Sequence, residues 1–146
     1  MRGIWGIDPG WGLTAVRIAM ALIFIDAGYR KVLGGGMEGA IQFFAKSGIP
    51  APGIMAPFIG VLELVGGILL LLGIAGRWLG LLYAIQFVVA TFYVKMPAAG
   101  WAQSRLDLML LAGGLALFLG GSGRAAVDEV WLERERGARG MARRAA

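Results

Sequence analysis

The sequence predicts an all-α integral membrane protein: a four-helix bundle with a short interfacial helix in its first loop and an amphipathic C-terminal tail. Three observations carry this expectation. The 146-residue chain is 58% hydrophobic with a mean hydropathy of +0.73, more apolar surface than a soluble domain of this length can bury. Four stretches approach the roughly 20 apolar residues needed to cross a hydrocarbon core. The turn "GIAGR" joins two of them tightly enough for an antiparallel hairpin.

The first span runs from about Leu13 to Leu33, and Asp8-Pro9 before it reads as an N-cap with proline at the first helical position. "MRGIWGIDPGWGL" lacks a compact basic stretch and a small-residue cleavage site, so this run is expected to be an uncleaved anchor. The loop that follows places Met37, Ile41, Phe44 and Ala45 at helical spacing, opposite Glu38, Gln42 and Lys46. That pattern predicts a short interfacial helix stopped by Gly48 and Pro50. The remaining spans run from Ala56 to Ile74, Trp78 to Val94 and Leu106 to Leu119, the last beginning within "WAQSR". Residues 1–124 are thus read as the membrane domain and 125–146 as a charged tail.

Four spans put both termini on one side. Arg2, Arg17, Arg77, Arg124 and the basic tail lie there; Arg30, Lys31, Lys46, Lys95 and Arg105 lie on the other. The positive-inside rule then leans toward cytoplasmic termini. The net charge of +5 is no nucleic-acid footprint, because six of the fourteen basic residues follow Ser122 among four acids. Nucleic acid is not an expected partner; membrane lipid is.

With no cysteine and no histidine, disulfide and thiol chemistry and thiolate metal sites are excluded, and the usual haem ligand, zinc ligand and neutral-pH proton shuttle are missing. No intrinsic cofactor and no metal site are expected. The informative residues are the ionisable ones inside the spans. Glu63 interrupts "APFIGVLELVGGILLLLGIAG" roughly 10 Å from the outer end of its helix. A charge there costs at least ~2–3 kcal/mol unless it is partnered. Asp26 lies at a similar depth, Asp107 and Arg105 open the fourth span, and Arg30 and Lys31 close the first. Acids and bases from three helices are expected to meet at this level.

Helical phase adds detail. Arg17, Gly28 and Lys31 share one stripe of the first span, while Asp26 and Arg30 form an i, i+4 pair on roughly the opposite face. Glu63 shares its face with Gly60, Gly66 and Gly67, which let a neighbouring helix approach. Tyr83, Gln86 and Tyr93 give the third span a mildly polar face. Each has a plainer reading: Glu63 as a structural partner of Lys31 or Arg105, Asp26–Arg30 as a self-neutralised pair, Asp107 as a helix-start acid, and Arg17 as a residue reaching the surface. An internal echo pairs "GGILLLLG" at 66–73 with "GGLALFLG" at 113–120, each preceded by a carboxylate, Glu63 or Asp107.

These features, with "DAGYRK", "FFAKSGIPAP", "VLELVGGILLLLGIAGRW" and "GGSGRAAVDE", resemble the DoxX family of small four-span membrane proteins of bacteria and archaea. The family usually has Glu near the start of the last span, and Asp107 departs from it conservatively. The resemblance implies a plasma (inner) membrane location and a link to membrane oxidoreductase assemblies, named for a thiosulfate:quinone oxidoreductase. On that reading the chain is an accessory subunit that offers quinone a polar pocket and docks a soluble redox protein. Lys31, Glu63, Asp107, Tyr83 and Gln86 are the candidate site residues. Arg17, Asp26, Arg30 and Arg105 would be supporting ion pairs, and Gly28, Gly66 and Gly67 packing positions. A proton-coupled or small-solute transporter and a structural scaffold are the alternatives; a homo-oligomer is left open.

Overall fold

A computed structural model of the chain describes residues 8–130. The elements are α1 (Gly10–Val32), α2 (Met37–Lys46), α3 (Pro52–Leu72), α4 (Gly76–Val88) and α5 (Met96–Gly120), with a π-helical segment, Val89–Lys95, continuing α4. The chain is a four-helix membrane bundle, and α2 is the short interfacial helix. The helices α1, α3 and α4 with its π extension are each long and apolar enough to cross a membrane. In α5 the backbone breaks at Gly100 (φ 71°, ψ −170°), a left-handed conformation that glycine adopts without a Cβ penalty. The break divides α5 into two helical stretches, so the fourth long helix of the bundle starts within "WAQSR".

Local chemistry explains the ends. The Asp8 carboxylate accepts from the Gly10 N–H at 2.8 Å and caps α1. Arg30 and Lys31 occupy the last turn of α1, where cations suit the helix dipole. Proline opens α3, and Gly73 ends it in a left-handed turn (φ 74°), with the Ile74 N–H reaching back to the Leu69 carbonyl at 2.9 Å.

The helices pack as two close pairs, α1 with α3 and α4 with α5, and α1 also meets α5. Glycine explains both pairs. A Cβ on Gly28 would lie 2.3 Å from the Leu64 backbone nitrogen, so α1 and α3 are in backbone contact there. Gly80 and Gly114 do the same for α4 and α5, where a Cβ on Gly80 would stand 2.7 Å from the Gly114 carbonyl oxygen. The hairpin expected of "GIAGR" is a hairpin only at its turn. Beyond it α3 and α4 touch sparingly, because Gly66 receives the Tyr83 hydroxyl and Leu79 side chain rather than a facing backbone. Two bulky residues hold these helices apart.

The core lies between the pairs. The buried Phe24 and Tyr83 rings stack at 3.8 Å between centroids, and Leu70, Leu117 and Phe87 pack around them. Outward, α3 exposes Ile54, Phe58, Val61, Val65, Ile68 and Leu72, the face that lipid covers. Trp11 and Trp78 are exposed at the end that carries the described termini, Tyr93 and Trp101 at the other, as expected of interfacial anchors.

At the terminal end, residues 121–130 fold back as a strap between the start of α1 and the α3–α4 turn. Arg17 does not reach for the surface. It is 2% exposed and donates to the carbonyls of Ser122 (2.5 Å) and Ala125 (3.2 Å). The turn-rich strap leaves carbonyl oxygens without helical partners, and a guanidinium carries enough donors to satisfy two of them. Thr14 adds a bond to the Arg124 carbonyl at 2.6 Å. The Asp128 carboxylate accepts from the Ala75 and Gly76 N–H groups (3.1 and 3.2 Å) and from the Ser122 hydroxyl (3.0 Å), so it caps α4. The bundle therefore includes the chain through Val130, six residues past the boundary drawn after Arg124. Most of the amphipathic tail expected over residues 125–146 lies outside the described residues. Asp128→Ala is expected to cost about 1–2 kcal/mol, the worth of a good helix cap, and to speed hydrogen exchange across 121–130 measured by mass spectrometry.

Candidate functional site

Where α3 and α4 diverge, at the end away from the strap, they enclose a cavity of about 700 Å³. The last turn of α1 and the inner face of α2 close its end. Phe58 on α3, Leu82 and Ile85 on α4 and Val89 at the start of the π segment line it and are exposed, so its mouth faces sideways, into lipid. Phe44 of α2 and Ile49 beyond it supply apolar wall, as do Leu62 and Phe87.

Six charged or amide side chains break that apolar lining, five of them inside and Arg30 at the rim. Glu63, only 6% exposed in its side chain, accepts from Lys31 Nζ at Oε2 and from Gln86 Nε2 at Oε1, 2.9 Å away. Gly60, one turn earlier on α3, lets the Lys31 stem lie against the helix. A second pair repeats the arrangement: Lys95 Nζ donates to Asp107 Oδ1 at 2.8 Å, and that carboxylate is 3% exposed. The lysines are 27% and 35% exposed, so each acid is buried behind its cation. Both pairs line the cavity. Each neutralises a charge that hydrocarbon would otherwise penalise.

The π-helical segment sets the second pair. Its wider turn buries Thr91 and Val94 against α5 and brings Lys95 to face Asp107; such segments recur at functional sites. Gln86 Oε1 and Asp107 Oδ2 are buried without a hydrogen-bond partner, as is Thr91 Oγ1.

Of the residues singled out in the sequence, Lys31, Glu63, Gln86 and Asp107 come together here. Tyr83 does not. It is fully buried in the core, its hydroxyl donating to the Leu62 carbonyl at 3.1 Å. Asp26 and Arg30 pair with each other at 3.0 Å on the outside, exposed by 61% and 75%, and only Arg30 reaches the cavity rim. Arg105 is exposed and donates to the Ala102 carbonyl at 3.0 Å, not to either buried acid. Arg17 serves the strap at the opposite end. The expected meeting of acids and bases from three helices is thus two acids and two lysines, drawn from α1, α3, the π segment and α5. Lys95 had been read only as a topological charge. The internal echo held the clue: each half carries a lysine near the end of its first helix and a carboxylate on its second.

The wall can orient an amphipathic molecule through hydrogen bonds and fixed charges while its body stays in apolar surroundings. Among the described residues no group of His, Cys, Asp and Glu could hold a metal ion.

The comparisons agree with this architecture. The DoxX family model matches residues 12–96, which contain Lys31, Glu63, Gln86 and Lys95. The chain is 37% identical over 117 residues to the Bacillus subtilis protein named "Putative oxidoreductase CatD", covering 80% of this chain and 84% of that one. It is 30% identical over 122 residues to "Inner membrane protein YqjF" of Escherichia coli, covering 82% and 91%. An uncharacterised membrane protein of Mycobacterium tuberculosis is 31% identical over 129 residues, covering 80% and 78%. No solved structure matches. The family match over more than half of the chain, with relatives aligned over most of their length, makes this protein a member of the DoxX family.

Proposed function

We propose that the chain is an accessory subunit of a quinone-linked membrane oxidoreductase assembly, and that the lateral cavity takes the head of a quinone-class molecule from the bilayer. The observation that carries this reading is a cavity of about 700 Å³ with lipid-facing apolar walls and two lysine–carboxylate pairs inside. A transmembrane ion pair in a closed scaffold needs no such space. The name of the Bacillus relative gives oxidoreduction independent support.

In this reading Lys31 and Lys95 offer N–H donors to ring oxygens, and Glu63 and Asp107 balance their charge and exchange protons with the ligand. Electrons come from a soluble redox partner; the sequence has no cysteine for an iron–sulfur cluster and no histidine for the usual haem ligation. The termini face the cytoplasm, with the basic tail on the positive side.

Mass spectrometry of the gently solubilised protein tests the proposal. Retained quinone together with a copurifying redox polypeptide is the expected result, with quinone lost in Glu63→Gln. A preparation that carries phospholipid alone, and supports proton-coupled uptake in liposomes that Glu63→Gln abolishes, would contradict it in favour of transport.

A further inference from the structure

We infer that the cavity selects an anionic head: among quinone-class rings it prefers one that carries an ionised hydroxyl over the same ring without the charge. This rests on the quinone-class reading above and narrows it to one kind of ring. The charged groups of the wall are ordered in depth. Glu63 and Asp107 are buried, whereas Lys31 and Lys95 are partly exposed in front of them. All four line the cavity. A third cation, Arg30, stands at the rim, and its partner Asp26 is not part of the wall. From α2 the wall receives Ala40, Phe43 and Phe44, all uncharged.

The two ion pairs therefore cancel in number but not in position. A molecule in the cavity meets ammonium groups first and carboxylates only beyond them, and charge interactions weaken with distance. Apolar walls focus that field rather than screen it. Hydrogen bonding points the same way. An ammonium has three N–H donors and no acceptor. Each lysine gives a hydrogen bond to its own acid and makes no other among the described residues. What the lysines still offer a ligand is donor capacity, and an ionised oxygen uses it best, because charge-assisted bonds are roughly twice as strong as neutral ones. Phe43, Phe44, Phe58 and Phe87 line the same space, which suits a flat ring better than the phosphate of a lipid head.

The test uses the full chain in phosphatidylcholine nanodiscs, with binding to empty nanodiscs subtracted. It is titrated calorimetrically with a naphthoquinone bearing one acidic ring hydroxyl, ionised at neutral pH, and with the methyl ether of that compound, which carries no charge. The ionised ring is expected to bind about tenfold tighter. Lys95→Gln combined with Asp107→Asn removes one pair, leaves the net charge unchanged and keeps an amide–amide hydrogen bond, so the preference should fall severalfold. Arg30→Gln lowers the net charge at the exposed rim and should leave most of the preference in place. Circular dichroism checks that both variants fold. Equal binding of the two rings, tighter binding of the ether, or a preference undiminished in the double variant overturns the inference and leaves the quinone-site reading standing. Binding of neither ring overturns the site reading itself, and the inference with it.

Discussion

Replacing Lys31 by methionine is expected to destabilise the folded bundle by about 3–5 kcal/mol, the cost of removing one partner from a buried ion pair. Methionine keeps the length of the stem that runs past Gly60 and removes only the charge. Glu63, 6% exposed, is then left with the single amide bond from Gln86. Thermal or denaturant unfolding in detergent, followed by circular dichroism, reads the loss. One residue earlier, Arg30→Met should stay within about 0.5 kcal/mol, because an exposed i, i+4 pair contributes little. The contrast separates a general effect of charge removal in α1 from the specific loss of the Glu63 partner.

Gly28→Ala is expected to cost about 3 kcal/mol or more, at or beyond the usual upper range for overpacking. The added methyl would stand 2.3 Å from the Leu64 nitrogen and 2.7 Å from its Cα. Backbone atoms cannot swing aside as a side-chain tip can, so α1 and α3 must separate. Lys31 lies one turn from Gly28 and Glu63 adjoins Leu64, so separation also pulls the ion pair apart. A sharp fall in folded yield and in retained quinone is the expected readout. Gly12→Ala is the control. A Cβ there meets nothing within 4 Å, and alanine's better helix propensity should leave the protein unchanged or slightly more stable.

Much of this architecture was legible because apolar length and turn chemistry are local properties. The helices of the bundle, the interfacial helix over Met37–Lys46 and the start of the last helix within "WAQSR" all follow from residues close together in sequence. Glu63 was legible for the same reason: one carboxylate in an apolar run calls for a partner, and Lys31 lay at the right depth on the glycine stripe of α1. What was hidden depends on phase and on long-range return of the chain. The α3–α4 opening arises because Tyr83 and Leu79, not glycine, meet Gly66, a choice that "GIAGR" cannot announce. Lys95 faces Asp107 only because the intervening helix widens to a π turn and then breaks at Gly100. Periodicity counted at 3.6 residues misses such a shift. Arg17 was misread because its partners are carbonyls over a hundred residues away in sequence, brought back by the strap.

The arrangement also explains how one fold reconciles stability with an open site. Close glycine contacts hold α1 to α3 and α4 to α5, so the two pairs need little direct contact between α3 and α4 along the cavity. The strap ties the pairs together at the terminal end, through Asp128 to α4 and through Arg17 to α1. The space at the opposite end is then free for a lipid-soluble molecule.

A double-mutant cycle at positions 31 and 63 examines whether two charges from separate membrane helices hold each other in place beside that space. Unfolding free energies of the parent, Lys31→Met, Glu63→Met and the double variant are needed under one detergent condition. Coupling of at least about 2 kcal/mol is expected, with the double variant more stable than Lys31→Met alone. Losses that simply add within about 0.5 kcal/mol would mean that Lys31 and Glu63 do not interact, and the site described above would not exist.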